Sequence, residues 1–279
     1  PPAPEVSVLY GVPDVWLVAL PGLLRARFRL IHLHCSYHKC LTVLFQRVMR
    51  AVLRPLQPEG ASYKHFKSWI DDYYANKSSY RFASVNNHAV DLDRLGSDAR
   101  ITRFVRDPRD LVVSGYFYHR RGAEQWCNIE SPSDEDFRVV NGVVPSAVRQ
   151  GESYAQCLQR LSVEEGLTAE IEFRARHFAS MLDWTADSDQ ILTFRYEDIV
   201  GNEPATFRRL LSFHEFERPR IALGVAAAKV MTTSKARSRT THVRDPQPGQ
   251  WRRHFSAELG ELFNSGHAEI LDRYGYPHG

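Results

Sequence analysis

The sequence predicts an α/β fold in three layers, a central parallel sheet flanked by helices. Two observations predict it. Short apolar runs suited to buried strands alternate along the chain with runs of helical periodicity, the order that builds βαβ units. The chain also has 279 residues with 43% hydrophobic content, enough to bury one large core. A single domain over residues 1–279 is therefore expected, with residues 1–25 as an N-terminal extension and residues 122–153 as a lid or acceptor-side loop.

The elements follow in order. Arg29–Leu53 reads RLIHLHCSYHKCLTVLFQRVMRAVL, an apolar strand emptying into a polar turn, Ser36–Thr42, and then a helix over Leu41–Leu53. A strand, a turn holding a lysine and a helix is how α/β proteins hold a phosphate: helix N-terminal amides point at the anion and the lysine adds a full charge. A Walker loop needs GxxxxGK[ST]. Here no glycine is present, and Thr42 stands three positions after Lys39.

Tyr80–Val85 is the next expected strand, ending at Asn86-Asn87-His88. Ile101–Val105 is another, followed by a turn at Arg106–Asp110 and a helix over Asp110–Arg120, with Pro108 suited to its first turn. Ser114 follows Arg106 by eight residues, about two helical turns, so a guanidinium and a hydroxyl can grip one phosphate. Further helices are expected at Tyr154–Leu161, Ala169–Ala186, Glu203–His214 and Ala257–Tyr274, and a strand at Gln190–Phe194. His242–Phe255 (HVRDPQPGQWRRHF) has no periodicity and suits an ordered loop across a ligand, anchored by Trp251.

Together these segments resemble the sulfotransferases that use 3′-phosphoadenosine 5′-phosphosulfate (PAPS) as donor. Ser36–Val43 falls on the family's 5′-phosphosulfate loop [TS]-Y-P-K-S-G-T-T, with Ser36, Tyr37, Lys39 and Thr42 matching. Arg106 through Ser114 matches the 3′-phosphate motif R-[ND]-P-[KR]-D-x-x-V-S. Tyr196-Glu197-Asp198-Ile199 matches Y-E-D-[LI], and Arg244, Gly249 and Trp251 match the C-terminal loop. The departures are His38 for proline, Leu41 for glycine, Val43 for the second threonine, Leu44 for an adenine-stacking tryptophan and Asp245-Pro246 for Lys-Gly. Leu41 cannot take a positive φ cheaply, so the loop must use ordinary backbone geometry or be strained.

The resemblance implies a P-loop NTPase-like sulfotransferase fold, PAPS as donor with PAP as product, and a hydroxyl acceptor. It places His38, Lys39, Cys40, Leu41, Thr42, Val43, Arg106, Ser114, Tyr196 and Arg244 at the donor. It makes Lys39 the cation on the leaving phosphate and His88 the base, with His38 as second choice. The acceptor stays open among small molecules, lipids and carbohydrates. A small-metabolite kinase and a binding protein with a degenerate site are the alternative readings.

The formal charge of +3 suits one anionic pocket and lacks the basic blocks of a nucleic-acid surface. His32, His34, Cys35, His38 and Cys40 crowd together, but no second paired cluster supports zinc, so no metal is expected and the strand histidines are read as core. Val6–Leu24 is apolar but broken by Asp14, Pro13 and Pro21, a poor spanning helix. Four cysteines without paired spacing point to a reducing, cytoplasmic compartment. A homo-oligomer is left open. Tyr63–Tyr80, dense in aromatics and charges, is expected on the acceptor side or in packing.

Overall fold

In a computed structural model, the described residues are 31–53, 63–67, 70–80, 82–184, 188–232 and 245–279. Strands β1 (Ile31–Ser36), β2 (Tyr63–Phe66), β3 (Phe82–Asn86), β4 (Ala99–Val105) and β5 (Ile191–Arg195) form one sheet in the order β2-β3-β1-β4-β5. Every pair is parallel, and β1 lies centrally, with Leu33 opposite Ala83 on one side and Ile101 on the other. The carboxyl ends of all five strands therefore open on one edge, where a doubly covered parallel sheet places its ligands.

Strand alternation divides the core. Leu33, Cys35, Val85 and Ile101 pack with Tyr73 and Trp184 on one face. Phe82 and Phe104 pack on the other, against Phe45, Val48 and Val52 of α1 (Thr42–Leu53) and Phe207 and Leu210 of α9 (Glu203–Phe213). His34 joins this second face, its ring stacked 3.6 Å from that of Phe45. Its Nδ1 is 3.0 Å from Thr102 Oγ1, which is 3.0 Å from His214 Nε2, and His214 Nδ1 is 3.2 Å from His32 Nδ1. The strand histidines are thus built into the core. Among the described residues no cluster of His, Cys, Asp or Glu is placed to hold a metal ion.

Helix α3 (Pro108–His119) starts ahead of the expected Asp110, at the turn's proline. Pro108 sits in the first turn, and Asp107 caps it by accepting from the Arg109 N–H at 3.0 Å. The expected helix at Ala169–Ala186 is instead two helices, α6 (Val163–Phe173) and α7 (Ala175–Asp183), meeting at Arg174 with φ −89° and ψ 7°. Phe173, before the break, stacks on Trp126, and Phe178, after it, packs edge-on against Phe263. The earlier start is set by Ser162, whose capping box with Glu165 supplies the missing N-terminal partners.

Tyr63–Tyr80 carries edge strand β2 and helix α2 (Ile70–Asn76). Helix α10 (Arg218–Val230) was not expected. It buries only the stripe Arg220, Gly224 and Ala228, too narrow to register as amphipathic. Residues 122–153 hold short 3₁₀ turns and α4 (Asp134–Phe137), and insert Trp126, Phe137 and Val140 into the core. The remaining helices are α5 (Tyr154–Arg160), α8 (Tyr196–Ile199) and α11 (Ala257–Tyr274). Residues 1–25 lie outside the described residues.

Candidate active site

The turn between β1 and α1 has two residues in left-handed backbone conformation, Lys39 at φ 74° and Leu41 at φ 59°. Leu41 occupies the glycine position of the loop pattern and adopts a glycine's conformation, so the strained alternative is the one realised. A left-handed L-residue costs roughly 1–2 kcal/mol. Leu41 is held there by its half-buried side chain against the core and by the Phe45 N–H donating to its carbonyl at 2.9 Å. Leu41→Gly is accordingly expected to be more stable than Leu41→Ala by about 1 kcal/mol, although both lose the same packing. Urea midpoints measure this, and an alanine variant equal to or above the glycine one would contradict the strain.

The loop is fastened to β3. The Ser36 hydroxyl donates to Asn86 Oδ1 at 2.9 Å and lies 2.9 Å from Thr42 Oγ1, so Thr42 is the donor in that second bond. The His38 N–H donates to Asn87 Oδ1 at 2.6 Å, with Asn87 itself at φ 64°. Lys39 Nζ lies 3.6 Å from the centroid of the Tyr118 ring on α3. Burial and then the nearby guanidiniums of Arg106, Arg121 and Arg174 lower the Lys39 pKa to about 7.

Arg106, at the end of β4, is buried. Its guanidinium lies 4.0 Å from the Tyr196 ring centroid, donates to the Lys39 carbonyl at 3.2 Å and approaches Asp110 Oδ2 at 3.6 Å. Its Nε and NH2 have no hydrogen-bond partner among the described residues. A buried, under-satisfied guanidinium is costly unless an anion completes it.

Asp110 ties the C-terminal loop to α3 by accepting from the Gly249 N–H at 2.7 Å and the Trp251 N–H at 3.0 Å. Trp251 lies under the Arg109 guanidinium at 3.6 Å, which makes it the loop's anchor. The Tyr196 hydroxyl donates to the Pro246 carbonyl at 2.8 Å, and Glu197 accepts from the Asp107 N–H at 3.0 Å. The Y-E-D segment therefore braces both the C-terminal loop and the turn after β4.

These elements enclose a cavity of about 1060 Å³ at the carboxyl edge of the sheet. Of the expected donor residues, His38, Lys39, Leu41, Thr42, Val43 and Arg106 line it, as do Ser114 and Tyr196. Cys40 does not. It is fully buried, and burial pushes its thiol pKa up. His88 is not brought onto the cavity wall either, where Asn86 and Asn87 stand instead. In the turn that follows, Asp91 Oδ1 accepts from the Asp93 and Arg94 N–H groups. Arg244 lies outside the described residues.

Sequence reasoning missed Glu124. Its carboxylate lines the cavity, receives the Tyr118 hydroxyl at 3.1 Å and the Trp126 Nε1–H at 2.7 Å, and lies 3.3 Å from His38 Nε2. Burial would raise its pKa, but these three donors outweigh it and hold the group well below the usual carboxylate range. Burial also lowers His38 to about 4, so its neutral ring presents Nε2–H to Glu124. Glu124 stands in an aperiodic stretch, and no local pattern pointed to it.

The chain matches the sulfotransferase domain family over residues 17–275 and belongs to that family, so it is a sulfotransferase. No curated protein matches it in sequence. Among solved structures it is similar to mouse sulfotransferase SULT7A1 complexed with PAP, at 13% identity and TM-score 0.48, covering 86% of this chain and 84% of that one. It is also similar to a retinol dehydratase in complex with androsterone and inactive cofactor PAP, at 13% identity and TM-score 0.48, covering 86% and 80%. A sulfotransferase from Alicyclobacillus acidocaldarius aligns at 14% identity and TM-score 0.34, covering 88% and 93%. The kinase reading is not favoured by the family.

Proposed function

We propose that this enzyme transfers a sulfuryl group from PAPS to a hydroxyl acceptor by in-line displacement. The observation that carries the reading is Arg106, a buried guanidinium with Nε and NH2 unsatisfied, set beside the Lys39 carbonyl in the cavity. PAPS would supply the activated sulfuryl group and a leaving 5′-phosphate.

Lys39 neutralises charge developing on that phosphate, and the amides at the start of α1 with Thr42 hold it. Arg106 and Ser114 hold the 3′-phosphate, with Arg244 expected to join them. Phosphate binding through the Thr42 hydroxyl requires its bond to Ser36 to swing away. Tyr196 works through Arg106, which it orients by stacking.

The acceptor's proton is assigned to Glu124, positioned by His38, rather than to His88. Glu124 is a weak base, and a weak base suffices, because the hydroxyl becomes strongly acidic as its oxygen bonds to sulfur. Glu124→Gln is expected to lower kcat at least roughly 100-fold and His88→Ala less than about threefold. The reverse order would return the role to His88. The Glu124-bearing segment, 122–153, forms the acceptor-side wall in this reading. The cysteines Cys35, Cys40, Cys127 and Cys157, all free thiols, agree with a reducing, cytoplasmic setting. No helix among the described residues is long and apolar enough to cross a membrane.

Lys39 makes donor binding pH-dependent. Its pKa of about 7 means that the free protein loses this charge as pH rises through 7, while a bound phosphate favours the charged form. Affinity for adenosine 3′,5′-bisphosphate is expected to fall by up to about tenfold per pH unit above pH 7, a limb separate from the loss below about pH 6 where the ligand's own phosphates protonate. Lys39→Arg should remove the slope, because arginine stays charged. A slope that survives in Lys39→Arg, measured by calorimetry, would assign the proton elsewhere.

The function itself is tested by melting temperature with adenosine 3′,5′-bisphosphate, 5′-AMP, and ATP with magnesium. A ligand that binds only the native state raises it. Stabilisation by the bisphosphate above the other two is expected. A shift only with ATP and magnesium would overturn the reading.

A further inference from the structure

The cavity extends well beyond the phosphate-facing groups, to the opposite side of the sheet. Lys39 and Arg106 stand at the ends of β1 and β4. On the other side of β3 the wall is formed by His65 of β2, by Lys67 just after β2, and by Arg47 of α1. In the order β2-β3-β1-β4-β5, β2 is two strand spacings from β1 and three from β4, roughly 10 and 14 Å. Helix α1 reaches this lobe because it leans on β2, with Phe45 packed edge-on to Tyr63 at 6.4 Å. Arg47 follows Val43 by four residues, so both share the cavity face of α1.

Neither Arg47 nor Lys67 has an ion-pair or hydrogen-bond partner among the described residues. Glu124 already receives three donors, Tyr118, Trp126 and His38, which leaves about one lone-pair site for the acceptor hydroxyl and none for these cations. Asp245, the other acid on the wall, is on the C-terminal loop, where it accepts from the Gln247 N–H at 3.0 Å. His65 is oriented rather than loose: its Nδ1 lies 2.8 Å from Ser84 Oγ, and Ser84 Oγ lies 2.7 Å from the Tyr63 hydroxyl. The ring is thereby fixed on the same wall as two exposed cations, Arg47 and Lys67.

We infer that the hydroxyl acceptor carries a second, anionic group, a carboxylate or a sulfate ester, bound by Arg47, Lys67 and His65 at the β2 end of the cavity. This rests on the sulfotransferase reading of the same cavity. The donor's phosphates do not explain these cations, because their groups belong to the β1 and β4 loops. A planar guanidinium beside a flexible ammonium suits an oxyanion of either kind. The acceptor then spans the cavity, with its hydroxyl near Glu124 and its anionic end near β2.

The test is equilibrium binding in the presence of saturating adenosine 3′,5′-bisphosphate, so that turnover is not needed. 4-Hydroxyphenylacetate is compared with its methyl ester, and a glucuronate-bearing disaccharide with its neutral glucose counterpart. A sulfated monosaccharide against the unsulfated one separates the sulfate source from the carboxylate source. In at least one pair the anionic member is expected to bind about tenfold tighter, the summed effect of two partly exposed cations. Lys67→Glu and Arg47→Glu should each abolish that preference, with the bisphosphate affinity changed less than about threefold. Equal binding within every pair, or a preference that survives both charge reversals, overturns the inference. If the bisphosphate fails to bind while the Lys67-dependent preference persists without it, the donor reading falls and the anionic subsite stands.

Discussion

Arg106→Ala is expected to weaken adenosine 3′,5′-bisphosphate binding by roughly 30-fold or more while leaving 5′-AMP binding within about threefold. The size follows from the environment. Removing one side of a buried, charge-assisted contact costs about 2–5 kcal/mol, because the partner anion keeps its desolvation penalty without compensation. Arg106 is 3% exposed, and Nε and NH2 are the nitrogens left for a ligand, since NH1 already serves the Lys39 carbonyl. Only the small part of the loss that 5′-AMP shares should come through the loop, because that same NH1 contact helps hold Lys39 in its left-handed conformation. Arg106→Lys therefore rescues poorly: an ammonium cannot stack on Tyr196 and serve the carbonyl and a phosphate together. Calorimetric titration of the two nucleotides distinguishes the outcomes. An Arg106→Ala protein that keeps its preference for the 3′-phosphate would remove the donor clamp from this position.

The second large effect concerns stability. Gly115 follows Ser114 on α3, and a Cβ there would sit 2.0 Å from Glu170 Oε1 and 2.4 Å from Arg174 NH2. Flexible side-chain ends could ordinarily give way, but these cannot. Glu170 Oε1 is held by Arg174 Nε at 2.9 Å. Glu170 Oε2 accepts the Tyr154 hydroxyl at 2.7 Å and lies 2.8 Å from His119 Nδ1. Glu170, Arg174, His119 and Tyr154 are all fully buried. Burial would raise the Glu170 pKa, yet His119 and Arg174 outweigh it and keep the carboxyl below its ordinary value, so the group is anionic in the core. Forcing such a pair apart leaves uncompensated charge, worth about 3–5 kcal/mol. Gly115→Ala should lose roughly that much in urea unfolding, and Gly115→Ser no less. A loss under about 1 kcal/mol would mean that the network can reorganise.

The two predictions share a cause. Helix α3 carries Ser114 on its cavity face and, one residue on, the notch that admits the Glu170–Arg174 pair. Arg174 also bears on chemistry, being one of the cations that lower Lys39 after burial and Arg106. The charge of the core ion pair thus reaches Lys39.

The chain by itself determined the sheet except its edge strand β2, and it determined the loops that bring Lys39 and Arg106 to one cavity. β1, β4, α1, α3 and the Arg106–Ser114 spacing were legible because each depends on local rules: an apolar run, a proline in the first turn, a cap, two helical turns between two functional groups. The loop was legible for the same reason, and even its conflict with Leu41 could be stated beforehand, since φ preference is a property of one residue. What only the tertiary structure decided was every feature made by residues distant in sequence. Glu124 acquires its role from His38, more than eighty positions earlier. Lys67 and Arg47 come to one cavity wall only once β2 takes the sheet edge, and Asn86 and Asn87, not His88, stand on that cavity's wall. The physical reason is that backbone preference acts over a few residues, whereas a cavity wall is assembled by packing, which has no local signature in the chain.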